Sequence, residues 1–104
     1  MYKSILALGA LAMTTGLGAA HAGDISAGES SYNTCISCHQ ADGSGSGIFP
    51  PVKGLSAETV VDKLERYRDG ETIGQHTNVM APHARNLSDE DIANLAAFIE
   101  AEFN

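Results

Sequence analysis

Cys35-Ile36-Ser37-Cys38-His39 constrains this chain more than any other stretch. Two thiols three positions apart lie on the same side of one helical turn. They reach the two vinyl groups of a single porphyrin and can be joined to it as thioethers, while the next residue brings an imidazole beneath the iron. Cys-x-x-Cys-His is the pattern of c-type haem attachment. The same pentapeptide also arises in zinc-binding and thiol-redox chains, so the surrounding sequence has to decide. If it decides for haem, the fold must close around one large flat group rather than around side chains alone.

The first residues point to export. Lys3 is the only charged residue before Asp24, residues 5–13 form a short apolar run, and Ala20-His21-Ala22 offers the small-x-small pattern of a signal-peptidase site. A spanning helix needs about 20 apolar residues, and Thr14, Thr15, Gly16 and Gly18 interrupt this run, which weighs against a retained membrane anchor. The expectation is a cleaved signal peptide over residues 1–22, one domain over residues 23–104, and a periplasmic address with no stable membrane insertion after cleavage. Covalent haem attachment in bacteria takes place outside the cytoplasm, which agrees with that address. The remaining 82 residues make a small domain with a thin apolar core, a size at which a metal, a disulfide or another staple is usual. A Cys35–Cys38 disulfide would close too short a loop to constrain the unfolded chain much. A buried haem brings its own apolar surface instead.

Charge narrows the partners. Residues 23–104 hold five Lys or Arg against thirteen Asp or Glu, a formal −8. No basic patch is available for a phosphate backbone, and with no Trp and few aromatics there is no platform for stacked bases. Nucleic acid is therefore excluded as a partner, and an anionic membrane surface repels the chain. Partners either carry basic docking patches or meet it through apolar contact.

The pattern reads as all-α, three main helices joined by irregular segments. The first starts at Asp24 as N-cap and runs through Ala27, Gly28, Ser31 and Tyr32 into Cys35. Gly28 inside it costs about 1 kcal/mol against Ala, either a mere weak spot or the place where another helix crosses closely. After His39, residues 42–47 alternate glycine with polar residues and read as a flexible surface loop. No Gly-Lys-Ser/Thr follows it, so it is not a phosphate loop. Phe49-Pro50-Pro51-Val52 is extended, because proline fixes its own φ and biases its predecessor. The second helix opens at Ser56, carries Val60, Leu64 and Tyr67 on one face, and ends at Gly70. Residues 71–84 read as a polar, irregular loop. Ser88 caps the third helix, with Asp91 at the capping-box position and Leu87 placed to staple against Ile92. Ile92, Leu95, Ala96, Ile99 and Phe103 then trace one apolar stripe.

A haem iron held by His39 keeps a sixth position, and its occupant decides between electron transfer, gas binding and catalysis. Residues 23–104 offer one methionine, Met80, and two more histidines, His76 and His83. A methionine in a polar, proline-bearing loop is poorly placed as core filler, which favours Met80 as ligand. His76 and His83 remain the alternatives. A thioether is soft and uncharged, favours ferrous iron and raises the reduction potential relative to a second imidazole. With both axial positions filled, no open site remains for oxygen or substrate, and a one-electron carrier rather than an enzyme follows.

With these features in order, the chain resembles the class I monohaem cytochromes c, small soluble bacterial ones in particular. The likeness rests on Cys35-x-x-Cys38-His39, Tyr67-Arg68-Asp69-Gly70, Met80-Ala81-Pro82, and the run from Leu87 through Ser88, Asp89, Glu90, Asp91 and Ile92 into Leu95, Ala96, Ala97, Phe98 and Ile99. It implies the small cytochrome c fold, with three main helices and irregular loops wrapped around one covalent haem c per chain. It also implies thioethers at Cys35 and Cys38, and His39 and Met80 as axial ligands. The family's crossing of N- and C-terminal helices implies that Gly28 and Tyr32 meet Leu95 and Phe98. Its proline carbonyl bonded to the proximal imidazole implies a supporting role for Pro50, with Pro51 as rival. Two departures stand out. Gln40 replaces the glycine that many relatives carry after the haem histidine, which puts the local turn in doubt. Lys53 and Lys63 replace the lysine ring that many relatives set around the haem edge, which puts partner preference in doubt. Arg68 is placed either to neutralise a propionate or as a solvated helix charge.

The expected function is a monomeric periplasmic electron shuttle, passing electrons from a quinol-oxidising complex or dehydrogenase to a terminal oxidase, reductase or peroxidase. Docking should be brief, fast and salt-sensitive. The alternative is a haem sensor, or a cytochrome subunit held permanently to a larger redox enzyme. A thiol oxidoreductase lacks the strand–helix alternation it needs. A zinc site from Cys35, Cys38, His76 and His83 has unusual histidine spacing.

Overall fold

The computed structural model describes residues 23–104, and the expected signal peptide, residues 1–22, lies outside the described residues. Among the described residues are α1 (Ile25–Tyr32), α2 (Ile36–His39), α3 (Ala57–Arg68), α4 (Thr77–Ala84) and α5 (Asp89–Glu102). The sole pairing outside helices there is an isolated bridge between Ser46 and Phe49. The three main helices expected from the pattern are α1, α3 and α5.

Each begins where its cap residue dictates. Asp24 accepts from the Ser26 and Ala27 amides, and Ser56 accepts from Thr59 N–H. Ser88 and Asp91 close a reciprocal capping box at the start of α5. Three acidic residues in the first turn of α5 add favourable charge at the positive end of the helix.

The core lies where α5 is gripped by α1 on one side and α3 on the other. Ile92, Leu95, Ala96, Phe98, Ile99 and Phe103 supply the α5 side of it, and Tyr32, Val60 and Leu64 face them. Tyr32, Phe98 and Phe103 form an aromatic trio with ring centroids 5.3–5.5 Å apart. At Gly28 the α1 backbone presses against α5. A Cβ there would overlap the Asn94 carbonyl oxygen and stand 2.7 Å from Phe98 Cβ. The helix glycine is thus a crossing point, not a weak spot.

Three expectations are corrected. α1 stops at Tyr32 rather than running into Cys35; a turn at 33–35 intervenes, and α2 starts afresh with Cys35 as its N-cap. Residues 77–84 are helical rather than irregular, with Pro82 inside α4. Pro82 sits six residues into an eight-residue helix, so it removes a single backbone bond, to the carbonyl of exposed Asn78, which water can satisfy. Residues 42–47 are tied down rather than free. Gly43 is buried, its carbonyl accepts from Val52 and Lys53, and Phe103 packs over it.

Candidate functional site

α2 is one turn of helix, and it gathers three reactive side chains. His39 N–H bonds to the Cys35 carbonyl at 2.9 Å and Gln40 N–H to the Ile36 carbonyl at 2.8 Å, which winds Cys35, Cys38 and His39 onto one short coil. Both cysteines are half-buried and free of any disulfide. Burial, and secondarily the neighbouring Cys38, pushes the Cys35 thiol pKa up, so the thiol stays neutral.

His39 is fixed by its partner. Its Nδ1 lies 2.7 Å from the Pro50 carbonyl oxygen, not that of Pro51. A carbonyl only accepts, so Nδ1 carries the proton and Nε2 keeps its lone pair free for a metal. The glycine loop makes this contact reachable. Gly45 N–H bonds to the His39 carbonyl at 2.9 Å, and a Cβ on Gly45 would overlap the Phe49 carbonyl and stand 2.7 Å from the Pro50 carbonyl carbon. Backbone approaches backbone there with no room for a side chain, an arrangement that the run of glycines in the sequence could have signalled.

Gln40 keeps a glycine-like conformation at φ 72°, ψ 158°. Among the described residues Gln40 alone holds a positive φ without being glycine. Its carbonyl accepts a 2.8 Å bond from the Tyr32 hydroxyl, and its amide nitrogen donates to Ser46 Oγ at 3.3 Å. Tyr32 was expected at the helix crossing. Its second task, holding the turn after His39, has no sequence signal.

Met80 lies on α4, half-buried and packed against the main core, as are Cys35 and Ile36. Ala81 and Ala84 anchor the helix inward. His76 caps α4 and His83 lies near its end, and both are exposed. Arg68 is paired within the protein. One guanidinium nitrogen donates to the Leu87 carbonyl at 3.2 Å and the other pairs with Asp89 at 2.8 Å, which ties the end of α3 to the start of α5.

The donor set fits haem. A neutral imidazole with a free Nε2, an uncharged thioether and two unpaired thiols suit a soft, porphyrin-held iron, whereas hard cations want carboxylates. Among the described residues no three of His, Cys, Asp and Glu converge on one point, which removes the zinc reading.

The cytochrome c family model matches residues 25–101. Cytochrome c-554(548) of Halomonas halodenitrificans is 43% identical over 82 residues, covering 78% of this chain and 99% of that protein. Cytochrome c-554(547) of Halothiobacillus neapolitanus is 37% identical over 87 residues, covering 75% of this chain and 96% of that protein. Among solved structures, cytochrome c4 of Acidithiobacillus ferrooxidans has the same fold, with a TM-score of 0.67 at 21% identity. The alignment covers 77% of this chain and half of that longer one. Family members carry electrons on covalently attached haem c and are not enzymes. A family match across residues 25–101, on a helical frame that brings Cys35, Cys38 and His39 onto one turn, makes this chain a member of the cytochrome c family.

Proposed function

We propose that the chain is a periplasmic one-electron shuttle, with thioethers at Cys35 and Cys38 and axial ligands His39 and Met80. The observation that carries the reading is the 2.7 Å contact between His39 Nδ1 and the Pro50 carbonyl, which leaves Nε2 as the imidazole's only metal-binding atom. Haem c bound at this site supplies one-electron oxidation and reduction at its iron. The protein's own work is to hold and to exclude. Pro50 sets the ring orientation and the tautomer of His39. Cys35 and Cys38 fix the group to a turn that Gln40 and Tyr32 hold in place. Met80 brings a neutral sulfur that favours the ferrous state. No described helix is long and apolar enough to cross a membrane, and the leader-like residues 1–22 favour export.

Absorption spectra of the exported protein in both redox states test this reading. A sharp ferrous α-band and a weak ferric band in the red are expected. Met80→Ala should abolish the red band and admit carbon monoxide to the ferrous protein. A variant that keeps the band would remove Met80 as ligand, leaving His76 and His83 to be tested in turn. Colourless exported protein with two alkylatable thiols would end the haem reading.

A further inference from the structure

The Pro50 carbonyl orients His39 only while the loop that carries it stays in place, and both ends of that loop are tied to the two residues after α5. At one end the Phe103 ring lies over Gly43, where a Cβ would stand 2.7, 3.0 and 3.1 Å from Cδ2, Cγ and Cε2 of the ring. The Gly43 carbonyl accepts from the amides of Val52 at 2.9 Å and Lys53 at 3.0 Å, which fixes the chain just past Pro50. At the other end the Phe103 carbonyl accepts from Gly54 N–H at 3.3 Å, and the Asn104 amide nitrogen donates to the Leu55 carbonyl at 3.1 Å. The ring reaches the His39 side as well. Phe103 packs on Tyr32, whose hydroxyl holds the Gln40 carbonyl, and Gly43 N–H donates to that same carbonyl at 3.1 Å.

We infer that Phe103 is a positioning residue for the His39 imidazole: its ring sets the separation between the Pro50 carbonyl and the turn that carries His39, and so the length and angle of the Nδ1–H···O bond. The inference rests on the proposed haem site for its consequence, because the bond matters to electron transfer only where Nε2 meets an iron. A hydrogen bond of 2.7 Å weakens steeply as it lengthens or bends. A functional group of this kind needs support that holds it to within about 0.5 Å. The loop has little other support to offer. Residues 44 and 46–48 are exposed, and the one buried residue of 43–52 is Gly43, beneath the Phe103 ring. Core packing alone would account for the contacts of Phe103 with Tyr32 and Phe98. It leaves unexplained why the ring and the carbonyl of one residue hold both ends of the loop that serves His39.

The test reads the His39 Nδ1–H proton by NMR in isotope-labelled ferrous holoprotein, since its chemical shift reports bond geometry in the native state and not overall stability. Phe103→Ala should move the resonance upfield as the bond to Pro50 lengthens. Phe103→Leu, which still covers Gly43, should bring it back most of the way. Asn104→Ala, which removes the bond to Leu55 and no ring, should move it in the same direction by less. Ile92→Ala removes buried core volume at the opposite end of α5, and should lower the urea midpoint while leaving the resonance in place. An unmoved resonance in Phe103→Ala, or an equal movement in Ile92→Ala, would overturn the proposal and return Phe103 to the core. If Phe103→Ala does not accumulate as holoprotein, Asn104→Ala decides, and an unmoved resonance there overturns it. Absorption spectra taken first keep the two readings apart. A wild type without a haem spectrum removes both, whereas intact spectra with an unmoved resonance count against Phe103 alone.

Discussion

Gln40 is the residue under most backbone strain. Its φ of 72° with ψ of 158° lies in a region that is close to glycine-only. Such a conformation costs on the order of 1–3 kcal/mol and persists when its surroundings over-determine it, here through the Tyr32 hydroxyl on its carbonyl. Gln40→Gly should relieve that strain, partly offset by greater freedom in the unfolded chain, for a net gain of about 1 kcal/mol. Denaturant titration checks it, and a destabilised variant would mean the side-chain bond to Ser46 outweighs the strain. Tyr32 gives a second test. Burial first, then the Cys35 thiol and the Asp42 carboxylate nearby, raise its hydroxyl from 10.0 to about 12; a thioether at Cys35 would leave burial and Asp42 as the causes. Folded protein therefore keeps this proton over a window in which unfolded chain releases it. The stabilising contribution is complete below pH 10 and is lost as pH rises through about 12. Tyr32→Phe should flatten the fall in stability across that window, and parallel wild-type and variant curves would contradict it.

At the scale of elements, the crossing of α1 and α5 depends on one missing methyl group. Gly28→Ala gains about 1 kcal/mol of helix propensity. The added Cβ meets the Asn94 carbonyl and Phe98 Cβ, both on a helix held by its own core contacts. Overpacking should outweigh propensity, leaving a net loss of about 1–3 kcal/mol, read as a lower urea midpoint. A neutral variant would mean that α1 can shift along α5 at little cost. The same elements explain what could be read from sequence. α1, α3 and α5 were legible because cap residues and apolar periodicity are local signals, and Asp24, Ser56 and Ser88 each do what their side chains dictate. α4 was not, because it has no side-chain cap, spreads its apolar residues around its circumference and contains Pro82, so local rules argue for a loop. Packing of Ala81 and Ala84 overrides them. The loop at 42–47 misled for the complementary reason. Glycines signal backbone freedom, but they also permit close approach, and the contact of Gly43 with Phe103, sixty residues away, is a long-range fact.

The whole molecule divides into two parts of unequal independence. α1, α3 and α5 share one continuous apolar cluster, stitched further by the Glu100 carboxylate on the Ala57 amide at 2.9 Å and by Arg68 between α3 and Asp89. α4 contributes Ala84, buried, and Met80, half-buried, to that cluster, and its remaining apolar contact is the kind a haem would provide. A domain this small has little surplus stability to hold such a segment without its staple. Removing the haem should therefore not unfold the chain evenly. In a Cys35→Ala, Cys38→Ala double variant, amides of α4 and of the flanking 72–76 are expected to exchange close to the unfolded rate, while those of α5 remain protected. Hydrogen exchange followed by NMR, with the holoprotein as reference, separates the two regions residue by residue. In the holoprotein both should be protected, because on the proposed ligation one group anchored at α2 and held by Met80 would make α4 part of the same cooperative unit. If α4 and α5 lose protection together in the haem-free variant, the core of α1, α3 and α5 is itself incomplete without haem, and the cofactor is as much a folding nucleus as a redox centre.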